Sequence, residues 1–239
     1  MLKVLRTRIK PYIPSRVRSL MAAALGRSAA RWYIPHGVSI NDFFRQLKDK
    51  DISYIVLRWF EDLPDLAPGE DIDILVDDHH HKTLISFLRK DGAIPCDIYT
   101  ASGNAGGNYK GLPYYPAELV RRSLDNRIYR DNIFAAPPPP EYFFGLAYHA
   151  IYQKGLASGI PTSKAGLKVL QNPDHDYTGV LHKLARDLGF KIPINMEALD
   201  EFLACNGYRP PEHWLQALRK TNTWVDMEFF SNNEHPSRP

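Results

Sequence analysis

The sequence predicts an α+β domain followed by an all-helical domain in a chain of 239 residues. Short strand patterns alternate with amphipathic helix patterns in the first part, and only helical patterns follow a run of four prolines at residues 137–140. The composition is that of an ordinary globular protein, with 44% hydrophobic and 24% charged residues. The length is enough for one large domain or two modest ones.

Each element of the first domain has boundary residues that predict where it begins or ends. In chain order the elements are a helix from the capping box at residues 39–42, a strand over residues 53–57, a loop over residues 59–69, a strand that begins at Asp71, a helix capped by Asp77 or Asp78 that carries Leu84 and Leu88, a strand over residues 94–99, a glycine-rich loop over residues 101–111, and a helix from Pro116.

The second domain is predicted to be a small bundle of four helices, because each pattern has an apolar face and a cap or stop residue. The four helices span residues 141–154, 177–188 and 196–205, and a segment that starts at Pro211. The prolines before them predict a stiff, extended linker. We therefore expect four segments: a basic amphipathic segment (1–35), the α+β domain (36–136), the helical domain (137–230) and a disordered tail (231–239).

The charge distribution separates a basic leader from a mildly acidic body. Residues 1–31 contain eight Lys or Arg and no Asp or Glu, which gives them a charge of +8. Because the net charge of the whole chain is +3, the remaining residues carry a charge of −5. Because the leader interleaves apolar residues with the cations, it favours peripheral contact with an anionic membrane surface. An organellar transit peptide and a basic helix packed on the body are the alternatives.

The composition also limits which binding partners and which cellular compartment we expect for the protein. An acidic body with its cations confined to a leader is not typical of a nucleic-acid-binding domain, so we expect no specific nucleic acid partner. The longest apolar run falls short of the roughly 20 residues that a membrane span needs. Cys96 and Cys205 are the only cysteines and lie far apart, so we expect a protein of the reducing cytoplasm, with peripheral contact at the inner membrane surface through residues 1–31.

Three acidic residues stand inside two predicted strands. Because side chains alternate along a strand, Asp71 and Asp73 share one face while Ile72, Ile74 and Val76 point to the other. In the next strand Asp97 lies between apolar residues in the same way. If the two strands are neighbours, three carboxylates converge on one face of the sheet, where a divalent cation would remove their mutual repulsion. The alternative for an isolated Asp-x-Asp is a solvated strand face.

This order of elements, with an Asp-hydrophobic-Asp strand followed by a strand with a single Asp, resembles the nucleotidyltransferase superfamily, whose fold DNA polymerase beta shares. The resemblance covers roughly residues 36–110. It implies a small mixed β-sheet with flanking helices. It also implies that Asp71, Asp73 and Asp97 bind Mg²⁺ or Mn²⁺, with Asp97 as third ligand or general base, and that a nucleoside triphosphate is the substrate.

The chain departs from the family after the first strand of the motif. The family usually has Gly-Ser or Gly-Gly there, whereas Leu57 is followed by Arg58 and Trp59. Arg58 could bind phosphate by its charge and Trp59 could stack on a base or sugar, which makes them the candidate nucleotide-binding residues. The same residue types also serve as a surface cation and a core aromatic.

The expected function is metal-dependent transfer of a nucleotidyl or related phosphoryl group to a hydroxyl of a small molecule, a sugar or a polysaccharide precursor. The residues expected to carry it are Asp71, Asp73 and Asp97. The alternative is a catalytically inactive nucleotidyltransferase-fold domain that acts as a binding or scaffolding module.

Overall fold

The protein is a mixed α+β structure with two sheets. The computed structural model describes residues 30–67, 69–104 and 106–231, and these contain eight α-helices, a four-stranded mixed sheet and a two-stranded sheet. The chain divides into two compact units between Pro137 and Pro138. We call residues 30–137 the α+β unit and residues 138–231 the helical unit. The tail predicted for residues 231–239 lies outside the described residues after Ser231.

The α+β unit holds all of the described strands and three α-helices. In chain order they are β1 (Ala30–Ile34), α1 (Ile40–Asp49), β2 (Tyr54–Val56), β3 (Ile72–Val76), α2 (His81–Ser86), β4 (Ile94–Thr100), α3 (Ala117–Asp125), β5 (Ile128–Arg130) and β6 (Phe134–Ala136).

The four-stranded sheet has the order β1-β4-β3-β2. Its two central strands are parallel, with Asp73 opposite Asp97, and each outer strand is antiparallel to its neighbour. Strands β5 and β6 form a separate antiparallel pair. The sheet is therefore mixed, and the two strands that carry the acids are direct neighbours.

Helix α1 packs on the sheet face opposite to the acids. Ser39 caps it through a 3.0 Å hydrogen bond from the Asp42 amide, as the capping box predicts. The Phe44 ring stacks on Tyr54 at 5.7 Å, and Tyr54 lies opposite Val76 in the ladder. All three are buried. This apolar layer leaves the other face of β3 and β4 for polar side chains.

Three strands and one helix boundary differ from the sequence prediction. The segment predicted for residues 1–35 ends in β1, which pairs with β4, while residues 1–29 lie outside the described residues. The β5–β6 pair was not predicted. Helix α2 begins at His81 rather than at a cap on Asp77 or Asp78, because Asp77 Oδ1 accepts a hydrogen bond from the His79 amide in a turn before the helix.

The helical unit has five α-helices among its described residues rather than the four predicted. They are α4 (Pro139–Tyr148), α5 (Tyr177–Leu188), α6 (Met196–Cys205), α7 (Glu212–Leu218) and α8 (Thr223–Phe229). The helix not predicted is α8, which Asn222 caps by accepting a hydrogen bond from Val225 N. A ring cluster on α4 and α6, including Phe144 stacked on Phe202 at 5.6 Å, forms part of the core.

The prediction of an extended linker over the four prolines is wrong for its second half. Pro139 and Pro140 are the first residues of α4, with Pro138 at the N-cap in an extended conformation. A helix accepts proline in its first turn because the missing N–H has no intrahelical partner there. Helix α4 continues into a π-helix, His149–Lys154, and a 3-10 turn, Gly155–Ser158. No described helix is both long and apolar enough to cross a membrane.

Candidate functional site

The three acids lie together on one face of the sheet. Asp73 and Asp97 are opposite each other on the parallel strands β3 and β4, and Asp71 comes two residues before Asp73. Directly opposed residues of neighbouring strands project on the same face. The side chains form what we call the carboxylate cluster, Asp71, Asp73 and Asp97. Asp73 and Asp97 are 8% and 9% exposed, so two of these charges are largely removed from water.

Arg31 pairs with two members of the carboxylate cluster. It lies on β1 directly opposite Asp97. Its Nε donates to Asp97 Oδ1 at 2.7 Å and its Nη2 donates to Asp97 Oδ2 at 2.8 Å. The same Nη2 also contacts Asp71 Oδ2. A two-pronged guanidinium–carboxylate contact of this kind is among the stronger side-chain interactions.

Arg58 pairs with the third member. Its Nη2 lies 2.9 Å from Asp73 Oδ2, and its Nη1 donates to the Tyr114 hydroxyl. The position of Arg58 follows from the pairing of β2 with β3. Leu57 N donates to the Asp73 carbonyl at 2.9 Å and so holds the chain after β2 beside β3. The Arg58 guanidinium also lies 5.5 Å from the centre of the Tyr114 ring. Arg58 is thus enclosed by an acid and an aromatic residue.

Trp59 follows Arg58 in an unusual backbone conformation. Its φ is 53°, in the left-handed region that glycine adopts at low cost. A bulky residue there costs roughly 1 kcal/mol. The turn after β2 thus has a glycine-like backbone at Trp59.

Aromatic side chains line the site beside Arg58. The Tyr99 ring, on β4 two residues after Asp97, lies 4.1 Å from the Tyr114 ring. Both are buried. Tyr114 follows the glycine-rich loop, which is packed against the end of β4: a Cβ at Gly107 would lie 2.7 Å from Thr100 N. Gly107 therefore has a structural role, because a side chain at this position would prevent the loop from packing so closely against β4.

Burial dominates the electrostatics of the site. It raises the pKa of Asp73, and the Arg58 charge opposes that rise. Burial also raises the pKa of Tyr99 well above its ordinary value, and Asp73 adds to the effect. For Arg58, burial is the largest single effect and favours the neutral form, but the attractions to Asp73 and to three neighbouring tyrosines together outweigh it, so the net pKa is raised. Arg58 therefore stays charged, and Asp73 is a carboxyl group whose ionisation depends on that partner.

No known protein family, curated protein or solved structure matches this chain. Family membership therefore stays a proposal that rests on the residues and their geometry.

The donor atoms of the carboxylate cluster suit a hard cation, because all of them are carboxylate oxygens. Their arrangement is not that of a metal site, however, because each of the three carboxylates contacts a guanidinium group. Among the described residues no group of three or more His, Cys, Asp or Glu is placed to hold a metal ion. Arg31 contacts Asp71 and Asp97 and Arg58 contacts Asp73, so the three carboxylates that were expected to bind Mg²⁺ or Mn²⁺ are paired with arginines in this structure.

The structure brings together four of the five candidate residues and adds two that the sequence did not indicate. Asp71, Asp73, Asp97 and Arg58 share the site, and Trp59 follows Arg58 in the turn. The residues that the sequence did not indicate as site residues are Arg31 and Tyr99, whereas Tyr114 follows the glycine-rich loop, where the sequence made it a plausible contact for the acceptor. The run Trp32-Tyr33-Ile34 beside Arg31 has the aromatic and β-branched composition of a strand, and this signal could have placed Arg31 in the sheet.

Proposed function

We propose that the protein transfers a nucleotidyl or related phosphoryl group from a nucleoside triphosphate to a hydroxyl of a small molecule, a sugar or a polysaccharide precursor. The α+β unit would have the nucleotidyltransferase-like fold. The observation that carries the proposal is the register of Asp73 against Asp97 on parallel neighbouring strands, with Asp71 on the same face. A sheet has little structural reason to gather three acids where two are largely buried.

The carboxylate cluster supplies the proposed chemistry. Asp71 and Asp73 would be the metal pair, and Asp97 the third ligand or the base that takes the proton of the acceptor hydroxyl. Bound Mg²⁺ or Mn²⁺ would supply charge neutralisation at the transferred phosphoryl group. Arg58 orients Asp73 through their 2.9 Å ion pair. Trp59, beside it, is the proposed stacking residue for the nucleotide.

A second candidate function is a catalytically inactive binding or scaffolding module of the same fold. The pairing of Arg31 and Arg58 with all three carboxylates favours it. A sheet whose acids are neutralised by arginines is stable without any cation. Such a domain would bind a nucleotide or a partner without turning it over.

Nucleotide binding and turnover separate the two candidates. Equilibrium dialysis with a panel of nucleoside triphosphates, with and without Mg²⁺, is expected to show metal-dependent binding by the wild type and none by Asp73→Asn. The matched control is Asp42→Asn, which removes an exposed carboxylate in the first turn of α1. Turnover of the bound nucleotide supports the transferase, and binding without turnover supports the module. Absence of metal-dependent binding in the wild type would refute the transferase.

We also propose that the basic leader brings the protein to an anionic membrane surface at the cytoplasmic side. Its apolar and cationic residues interleave, although residues 1–29 lie outside the described residues. Co-sedimentation with anionic vesicles tests this proposal. We expect removal of residues 1–29, which spares Arg31, to abolish association, and unchanged association would contradict the proposal.

A further inference from the structure

We infer that β5 is a docking edge for β5 of a second copy of this chain, and that the two strands pair antiparallel and symmetrically about Tyr129. The inference goes beyond the proposed function and does not depend on it. Among the described residues β5 pairs only with β6, which leaves its other edge without a strand partner. An open strand edge is a template for pairing with another chain.

The backbone of Tyr129 supplies the pairing groups at this edge. Tyr129 lies opposite Ala135 in the β5–β6 pair. Ala135 N donates to the Tyr54 hydroxyl at 3.3 Å, so this amide points away from β5. Opposed residues of an antiparallel pair either bond to each other through both backbone groups or turn both of them away. The N–H and C=O of Tyr129 therefore point away from β6, toward the open edge.

Side-chain exposure marks the same edge. Ile128 and Tyr129 are 37% and 38% exposed, and they are the two large hydrophobic side chains that lie on the surface within the described part of the chain. Because they are adjacent in a strand, they project on opposite faces of the β5–β6 pair. In the dimer the two Tyr129 rings form a cross-strand aromatic pair on one face. On the other face Ile128 packs on the aliphatic stem of the partner's Arg130.

Charge complementarity selects a second copy as the occupant of the edge. Arg127 comes two residues before Tyr129 and Asp131 two residues after it, so pairing about Tyr129 places Arg127 opposite the partner's Asp131. By symmetry the dimer has this ion pair twice. Within the described residues of one copy neither Arg127 nor Asp131 has an ion pair, and Arg127 Nη1 donates to the Leu124 carbonyl at 2.8 Å. The basic leader would instead bring cations toward Arg127 and Arg130, which disfavours it as the occupant.

Sedimentation velocity of the full chain over a range of concentrations tests the inference. The three residues of β5 make a small interface, so the dimer should dissociate on dilution. Arg127→Glu and Asp131→Lys each place like charges opposite one another in both pairs, so each variant alone should raise the dissociation constant about tenfold. An equimolar mixture of the two variants should recover dimerisation, because both pairs then join opposite charges. This recovery also shows that both variants fold.

Arg186→Glu is the matched control, since it reverses the charge of an exposed arginine on α5 and should leave the dissociation constant unchanged. A wild type that stays monomeric at every concentration would overturn the inference. A mixture of the two charge variants that associates no better than each variant alone would overturn it as well, because the symmetric register requires the recovery.

Tyr129→Pro tests the backbone pairing itself. Because bonded and non-bonded pairs alternate, Ile128 and Arg130 carry the hydrogen bonds to β6, and proline at residue 129 removes only the outward N–H. We therefore expect this variant to keep the β5–β6 pair and to lose the dimer. A Tyr129→Pro chain that dimerises as the wild type does would contradict the proposed edge.

Amide hydrogen exchange of the wild type gives a second readout. The Tyr129 amide should exchange more slowly at high than at low protein concentration, because pairing with the second copy protects it. Protection that does not change with concentration would mean that another segment of the same chain, such as the basic leader, covers the edge, and it would overturn the inference.

Discussion

Replacing Arg58 by Met is expected to destabilise the α+β unit through the carboxylate that it leaves behind. Arg58 Nη2 lies 2.9 Å from Asp73 Oδ2, and Asp73 is 8% exposed. Removing one partner of a buried ion pair costs about 3–5 kcal/mol of unfolding free energy, because the other charge stays buried without compensation. Adding Asp73→Asn removes that charge, so we expect the double variant to recover most of the loss.

The cost of Arg58→Met should grow with pH. Burial raises the pKa of Asp73 and Arg58 opposes the rise, so without Arg58 that pKa is higher still. Between the ordinary carboxyl pKa of the unfolded chain and the raised pKa, the folded chain holds a proton that the unfolded chain has lost. The unfolding free energy then falls by up to about 1.4 kcal/mol per pH unit as pH rises. In Arg58→Met this window extends to higher pH than in the wild type.

Urea unfolding followed by circular dichroism, at pH 5 and pH 8, measures the four chains of the double-mutant cycle. Arg121→Met is the control, because Arg121 pairs with Glu118 and Asp125 on the exposed face of α3 and should leave stability nearly unchanged. An Arg58→Met chain as stable as the wild type at pH 8 would refute the reasoning. A double variant no more stable than Arg58→Met would refute it as well.

Three further predictions concern stability and are measured by urea unfolding. Gly189→Ala should lower the unfolding free energy by about 1 kcal/mol, because Gly189 has φ of 72° and only open space around the position of a Cβ. Equal stability of Gly189→Ala and the wild type would contradict this prediction, because it would mean that the end of the helix accepts alanine without cost. Asn222→Ala should cost about 3 kcal/mol, since the Asn222 amide donates to the buried carbonyls of Ile151 and Tyr152 at 2.7 and 3.0 Å and its side chain also caps α8. A cost below about 1 kcal/mol would mean that other groups satisfy these carbonyls. Asp51→Gly should stabilise the chain by about 0.5–1 kcal/mol, because exposed Asp51 follows α1 with φ of 49°, and a loss of stability would contradict this.

Local patterns predicted the elements that carry the acids. Strands β3 and β4 are where apolar alternation indicated them, because the apolar face of each packs in the core. The structure also buries the opposite face, since every residue of β3 and the residues of β4 from Cys96 to Thr100 are buried. The capping box at Ser39 predicted the start of α1, since a side-chain cap and its amide partner are three residues apart. Helices α5 and α6 match the predicted spans for the same reason, with Asp176 and Asn195 as caps.

The partners of the acids could not be predicted from local patterns. Arg31 contacts Asp97 across 66 residues of sequence, and the sequence showed it only as one of eight cations in a basic leader. Arg58 stood out as a charge that could bind phosphate, whereas its buried partner Asp73 depends on how β2 and β3 pair. Long-range pairing decides which charges neutralise the carboxylate cluster, and periodicity carries no information about it.

A crystal structure of the protein with Mn²⁺ and a nucleoside triphosphate, with Mn²⁺ located by anomalous scattering, tests the proposed site most directly. We predict an anomalous peak at the carboxylate oxygens of Asp71 and Asp73, with the Arg31 guanidinium no longer bonded to Asp97. Arg58 should keep its contact with Asp73. A structure in which Arg31 still holds both oxygens of Asp97, with no Mn²⁺ at the carboxylate cluster, would contradict the metal-dependent transferase.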